Sequence, residues 1–140
     1  MAASAFGSTS NDLGKLILRT VLAVLLLFHG ISKVVGGVGF ISGLVAKAGL
    51  PPAIGYLVYV GEVVAPLLML FGIWTRLAAL IVAGNMLVAV GLVHMNELFT
   101  MTKTGGWALE LQAFYLFTAL AVLLLGAGRY SIGGAGGRWN

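Results

Sequence analysis

Cysteine is absent from this chain and charged residues are scarce. Without cysteine the chain forms no disulfide, supplies no thiolate nucleophile, ligates no iron–sulfur cluster and attaches no c-type haem covalently. Charged residues make up 9% of the 140 residues and hydrophobic residues 60%, whereas about a quarter of a soluble domain is charged. The composition therefore excludes a thiol enzyme and predicts that lipid, not water, is the main solvent.

Nucleotide and nucleic-acid motifs are also missing. No G-x-G-x-x-G follows a predicted strand, so nothing indicates a flavin or nicotinamide site. No basic cluster with interleaved aromatic residues points to RNA or DNA. The net charge of +4 lies near the ends of apolar segments, which is typical of a topology signal and of contact with anionic lipid. The expected partner surface is a lipid bilayer, with no nucleic acid.

What the chain does contain is long apolar segments. Crossing the hydrocarbon core takes about 20 apolar residues, and each crossing segment must be helical because lipid satisfies no backbone group. Four segments qualify, at residues 13–35, 53–73, 76–95 and 107–125. The first resembles a signal peptide, because Lys15 and Arg19 precede its apolar run, but no A-x-A-like site ends that run and three spans follow. We therefore expect it to be retained.

The connector between the first two spans carries its own helical pattern. Gly36-Gly37 ends the first helix and Pro51-Pro52 opens the second,. Between them, apolar residues recur at the spacing of a short amphipathic helix on the membrane surface. These residues are Phe40, Ile41, Leu44, Val45 and Ala48. The predicted fold class is therefore all-α, a transmembrane four-helix bundle with a short interfacial helix between spans one and two.

Domain limits and orientation follow from the same pattern. We expect a membrane domain at residues 13–126, between a flexible N-terminal tail at 1–12 and a C-terminal tail at 127–140. One predicted side carries more cations than the other, which places both termini in the cytoplasm and the chain in the cytoplasmic (inner) membrane. The two sets are Lys15, Arg19, Arg76, Arg129 and Arg138 against Lys33, Lys47 and Lys103.

Glu62 is an ionisable side chain at membrane depth. It lies roughly 14 Å along the second span, where a carboxylate costs roughly 3 kcal/mol unless it is paired or faces a cavity. It is either protonated or paired with His29 or Lys33, which share a helix face. A buried pair that locks two spans together fits this pattern, and so does a proton-accepting group beside a bound quinone. Lys33 also fits an interfacial anchor.

A second polar set lies in spans three and four. His94 stands near the end of span three, and Glu110 near the start of span four. Trp107, Glu110, Phe114 and Phe117 share one predicted helix face. An aromatic wall with one carboxylate suits a quinone ring or a lipid headgroup, and equally an aromatic belt. Asn85 is expected opposite His94 around the helix, hydrogen-bonded to another span.

Metal ligation is an alternative for these groups. His29 and His94 with two carboxylates have ligand types that suit iron, manganese or copper, and the two histidines suit a bis-histidine haem. The E-x-x-H spacing of di-iron bundles is absent. Metal or haem is therefore the less favoured interpretation, and a quinone is the expected cofactor.

Four fragments occur in an order that resembles the DoxX family. They are FHGISK at 28–33, GLPP at 49–52, GEVVAPLLMLFGIWTRLAA at 61–79 and LLGAGRYSIGG at 124–134, so the resemblance covers about residues 12 to 134. Where the family often has an aspartate, this chain has Gly133. The resemblance implies a small bacterial or archaeal four-span membrane protein. The family takes its name from a subunit linked to thiosulfate oxidation and quinone reduction, and other members belong to membrane oxidoreductase complexes.

Three functions are consistent with these features. In the first, the chain is the membrane subunit of a quinone-linked oxidoreductase, and is an enzyme only in that sense. The second is a non-catalytic scaffold or anchor, which predicts satisfied polar groups and no cavity. The third is a small-solute or proton pathway, which predicts a wet groove reaching both sides. A bundle this small predicts a partner protein or self-association. Under the first function, Glu62 and His29 exchange protons with a quinone, and Glu110, Trp107, Phe114, His94 and Lys33 contact it.

Overall fold

The computed structural model describes the backbone of residues 2–140 and the side chains of residues 8–140. Helices are the regular structure of these residues, with a single isolated bridge between Met101 and Trp107, so the all-α class is confirmed. Three helical segments within them are long and apolar enough to cross a membrane, and a fourth apolar helix is shorter. The three are Ser8–Gly36, Pro52–Phe71 and Thr75–Glu97, and the fourth is Glu110–Leu125. The protein is therefore a multi-pass membrane protein.

The second and third segments are not uniform α-helices. Each contains a π-turn, a turn with the wider i→i+5 hydrogen-bond pattern,. In chain order the elements are α1 (Ala2–Gly36), α2 (Gly39–Lys47), a 3₁₀ turn (Pro52–Leu57), the first π-turn (Val60–Val64), α3 (Ala65–Phe71), α4 (Thr75–Ala89), the second π-turn (Val90–His94), a 3₁₀ turn (Met95–Glu97) and α5 (Glu110–Leu125). The helices alternate in direction, which defines two ends of the molecule. The α2 end holds α2 and residues 98–109, and the tail end holds residues 72–74 and 126–140.

The helix predicted in the first connector occurs as α2. Val45 of α2 is buried, whereas Phe40 is exposed. Ser42 packs on Gly55 so closely that a Cβ added to Gly55 would lie 2.6 Å from Ser42 Oγ. Close packing of this kind holds α2 against the start of the second segment.

The buried core lies between the middle of the molecule and the tail end. Small residues let α4 approach its neighbours, with Ala78, Ala79 and Ala83 buried against α3 and α5,. Large apolar side chains such as Phe28 and Leu124 point outward and are exposed. Because lipid is as apolar as a leucine side chain, these outward faces are the ones that contact the bilayer.

The last residues fold back on the helix ends instead of trailing away. Asn140 Oδ1 accepts hydrogen bonds from the backbone N–H and the hydroxyl of Thr75, both at 3.1 Å. The N–H of Arg76 donates to Trp139 O at 2.9 Å. The N–H groups of Thr75 and Arg76 belong to the first turn of α4, where backbone donors have no partner inside the helix. The end of the predicted C-terminal tail at 127–140 therefore contacts the start of α4 through Trp139 and Asn140.

At the other terminus α1 begins earlier than expected. Residues 8–12, assigned to a flexible tail, are helical. Asp12 accepts a hydrogen bond from the N–H of Arg129 at 3.2 Å and pairs with its guanidinium at 3.4 Å. This contact attaches the first turns of α1 to the tail end.

Candidate functional site

Glu62 lies in the first π-turn and is 6% exposed. Lys33 of α1 donates a hydrogen bond to its carboxylate, so Lys33 is the partner among the two predicted cations. Pro66 has no N–H, so the Glu62 carbonyl lacks the donor that an α-helix would give it. That carbonyl faces Gly30, where an added Cβ would collide with it and stand 2.7 Å from Val63 Cγ2. Gly30 thus lets α1 approach closely enough for the ion pair to form.

Asn85 of α4 packs beside the same turn. A Cβ added to Gly61 would lie 2.6 Å from Asn85 Cβ, so Gly61 permits the two helices to approach closely here. The predicted hydrogen bond from Asn85 to another helix is wrong for the amide nitrogen, because Nδ2 is buried and finds no acceptor among the described residues. Gly61 brings the helices into contact without offering a side-chain partner, which leaves this donor unsatisfied.

His94 is turned by the second π-turn. In a continuous α-helix Asn85 and His94, nine residues apart, would face about half a turn away from each other. The π-turn delays the rotation by roughly one residue, about 100°. Asn85 and His94 both line one cavity, which the predicted placement on opposite sides of the helix did not anticipate.

Two further polar side chains, Glu97 and Gln112, contact the two ring nitrogens of His94. Its Nδ1 lies 2.8 Å from Glu97 Oε2, and since an ionised carboxylate only accepts, Nδ1 donates,. Its Nε2 lies 3.2 Å from Gln112 Nε2 of α5, which donates to the neutral ring,. Gln112 Oε1 is buried without a partner among the described residues.

His29 contacts α5 rather than Glu62. Its ring meets Tyr115 edge to face, with centroids 5.9 Å apart, and its Nε2 lies 3.5 Å from the Tyr115 hydroxyl. Tyr115 is buried.

A cavity of about 870 Å³ at the α2 end joins these groups. Its wall is mostly apolar and is drawn from the four apolar segments and α2. The size and the few polar groups are those of a small-molecule site, since such pockets hold roughly 300–1,000 Å³. The polar and titratable lining residues are His29, Lys33, Glu62, Asn85, His94, Gln112 and Tyr115.

Three predicted residues lie outside the lining of this cavity. Phe114 is 74% exposed and points outward. The Trp107 indole N–H donates to Leu98 O at 2.8 Å. Glu110 is exposed and folds over Gly106. Within α5, the helix phase turns Gln112 and Tyr115 to the cavity and Phe114 away from it.

Gln112 and Tyr115 were not predicted as site residues, and the burial of Arg19, which lies outside the cavity, was not predicted either. Gln112 is an uncharged polar residue within an apolar span, and Tyr115 follows it three residues later on the same helix face. This spacing could have indicated both residues from the sequence. Arg19 was assigned to the topology signal, although it lies within the first apolar segment. It is 2% exposed and donates to Met69 O, Leu70 O and Ala127 O at 2.5, 2.8 and 3.2 Å, and also to Tyr130 O. Its charge thus meets the carbonyl end of α3, where the helix dipole favours a cation.

Metal ligands do not cluster in the described part of the chain. No group of three or more histidine, aspartate or glutamate residues there is placed to hold an ion. The metal alternative stays a prediction without a located site.

Comparison with known proteins finds a matching family and a curated relative. The DoxX family model matches residues 14–95, more than half of the 140 residues. A Bacillus subtilis (strain 168) protein named "Putative oxidoreductase CatD" is 27% identical over 107 residues, which is 76% of this chain and 79% of that protein. No solved structure matches the chain significantly. The family match includes Lys33, Glu62, Asn85 and His94 and ends before α5.

Proposed function

The chain belongs to the DoxX family of membrane proteins, and on that premise we propose that it is a small membrane subunit of a quinone-linked oxidoreductase. Its site is the cavity at the α2 end. The relative's name as an oxidoreductase supports the redox class. A partner protein supplies the substrate chemistry, since nothing in the sequence indicates a site for a flavin or a nicotinamide.

The proposed arrangement in the membrane is a four-helix bundle with α2 at the interface. α5 is the fourth span, and its 16 residues rise about 24 Å, so flanking residues or local thinning complete the crossing. The excess of cations at the tail end supports an orientation with that end, and both termini, in the cytoplasm. The membrane is then the bacterial or archaeal inner membrane, and the cavity lies in its outer half.

The observation that carries the proposal is a buried donor and a buried acceptor without partners in one apolar cavity. Asn85 Nδ2 is the donor and Gln112 Oε1 the acceptor. Each costs about 1–3 kcal/mol while unsatisfied. A quinone carbonyl accepts from an amide N–H, and a quinol hydroxyl donates to an amide oxygen, so either form of this ligand relieves part of that cost.

Proton exchange with the ligand is assigned to Glu62 and His29. Both line the cavity, and Lys33 supplies the positive partner that lets a carboxylate exist in an apolar wall,. A group within hydrogen-bond reach of a quinone oxygen accepts its proton when the quinol is oxidised and returns it when the quinone is reduced. Lys33 and His94 contribute further polar contacts. Glu110, Trp107 and Phe114 lie outside the cavity lining, and their contact with the headgroup side of the ligand stays a prediction.

The two other functions fit the same features less well. A scaffold predicts satisfied polar groups and a dry core, which the cavity and the two unpaired amide atoms do not favour. A through-pathway predicts a wet groove reaching both sides. Buried apolar residues such as Leu22, Met69 and Val82 fill the space between the cavity and the tail end, which disfavours it.

The test is the quinone content of the detergent-purified protein. We expect quinone to co-purify with the wild type, and Glu62→Gln to lower quinone affinity by roughly 10-fold, because the site loses its charge and Lys33 its partner. Glu97→Gln is the matched control, since its carboxylate is half exposed at the same end and lies outside the cavity lining. Affinity is measured by titrating a short-chain quinone against tryptophan fluorescence. A wild type that neither carries nor binds quinone contradicts the proposal.

A further inference from the structure

We infer that His94 and Glu97 carry protons between the cavity and the water at the α2 end. The inference rests on the proposed function, because it requires a ligand in the cavity that has a proton to exchange. Nothing in the quinone proposal itself uses Glu97, whose side chain is half exposed.

The two residues form a continuous hydrogen-bonded connection across the end of the third segment. His94 lines the cavity, and its Nδ1 donates to Glu97 Oε2 over 2.8 Å. Glu97 is the last residue of the candidate span and its side chain is 50% exposed. One end of the connection therefore touches the cavity and the other touches water.

The second π-turn makes this placement possible. In a continuous α-helix, His94 would face about half a turn away from Asn85. π-turns inside α-helices recur at functional sites, since the local loss of regular hydrogen bonding is retained when it aims a side chain.

The groups that face His94 from neighbouring elements leave Glu97 as its carboxylate partner. From α5 it meets the neutral amide of Gln112. α2 presents apolar side chains to the cavity, and its ionisable residue, Lys47, is exposed. α4 carries its ionisable residue, Arg76, at the tail end. The other titratable groups of the cavity wall are His29, Lys33, Glu62 and Tyr115.

The transfer balances without any electron. A hydroxyl of the ligand breaks its O–H bond and gives the proton to His94 Nε2, taking the place that the Gln112 amide occupies. The Nδ1 proton of His94 passes to Glu97 Oε2, and Glu97 releases it to water. The ligand keeps the negative charge and water gains one proton. Uptake runs through the same bonds in the opposite direction.

The experiment measures how fast a bound ligand senses a pH change outside the protein. The probe is 2-hydroxy-1,4-naphthoquinone, whose anion absorbs visible light. It is bound to an excess of the full chain in detergent and the pH is jumped in a stopped-flow instrument. We expect Glu97→Ala to slow the absorbance change by roughly 10-fold or more and to leave probe affinity unchanged, since Glu97 lies outside the cavity lining. Added formate should restore the rate, and His94→Gln should slow it as well.

Each outcome decides between the two proposals. Lys103→Ala, an exposed cation at the same end, is the matched control and should exchange protons at the wild-type rate. A wild-type rate in Glu97→Ala, or a slowing that formate does not restore, overturns the proton connection and leaves the quinone site standing. A wild type that does not bind the probe overturns the quinone site, and the proton connection with it.

Discussion

Glu62 and Arg19 show two ways of placing a charge within an apolar span. Glu62 has a counter-ion in Lys33. Arg19 has no carboxylate among its recorded partners and instead donates to four backbone carbonyls. The counter-ion of Glu62 was predictable, because Lys33 stands at a suitable depth on the preceding span. The partners of Arg19 were not, since backbone carbonyls leave no mark in the sequence.

Asn85 gives a prediction that separates a ligand site from a packing defect. Leucine has nearly the shape of asparagine but no donor. Asn85→Leu should stabilise the ligand-free protein by about 1 kcal/mol, because a buried orphan N–H is removed, and weaken quinone binding by about 5- to 10-fold. Thermal unfolding and quinone titration measure the two effects.

The same substitution at Asn96, which is exposed and outside the cavity, is the control. If the Asn85→Leu protein binds quinone with wild-type affinity, the Asn85 amide does not donate a hydrogen bond to the ligand.

The two π-turns contain Glu62 and His94 and so set the positions of these polar side chains. The lengths of the apolar runs predicted the segments and nearly their limits, because a span in lipid must be apolar along its whole length. They did not predict the π-turns, since a one-residue change of phase is invisible in a segment that is apolar on every face. Hence the sequence indicated His94 and Asn85 as polar residues but assigned them to opposite sides.

Gly30 gives a prediction about the contact between α1 and the first π-turn. Gly30→Ala inserts a methyl group against Glu62 O and Val63 and should destabilise the protein by about 1–3 kcal/mol, as overpacking does. Separating the two elements should also weaken the Lys33–Glu62 pair and therefore lower quinone affinity.

Gly14→Ala is the control on the same helix. Nothing lies within 4 Å of its added Cβ, and alanine stabilises a helix by up to about 1 kcal/mol relative to glycine. Equal unfolding temperatures for the two variants would show that α1 does not pack on the π-turn as described.

The whole molecule is divided into a packed half and an open half. The core and the docked tail occupy one end, and the cavity and α2 the other. If the positive-inside rule sets the orientation, the packed half faces the cytoplasm and the cavity faces outward.

Absence of cysteine makes this orientation directly measurable. Single cysteines at Lys47, Lys103 and Arg138, all exposed, are labelled in intact cells with a membrane-impermeant maleimide. We expect Lys47→Cys and Lys103→Cys to react, and Arg138→Cys to react only after the membrane is opened. The reverse pattern would invert the topology and place the cavity on the cytoplasmic side.

The sequence by itself determined the solvent, the helical class, the apolar segments and the membrane family, because each depends on composition and on ordered local fragments. It also singled out Glu62 and offered Lys33 and His29 as its partners, since an ionisable group in an apolar run needs one. Only the tertiary structure decided that Gln112, Asn85 and His94 share a cavity while Glu110 and Phe114 turn away. That choice depends on helix phase and on the glycine contacts that bring helices together, which arise only when the segments pack against one another.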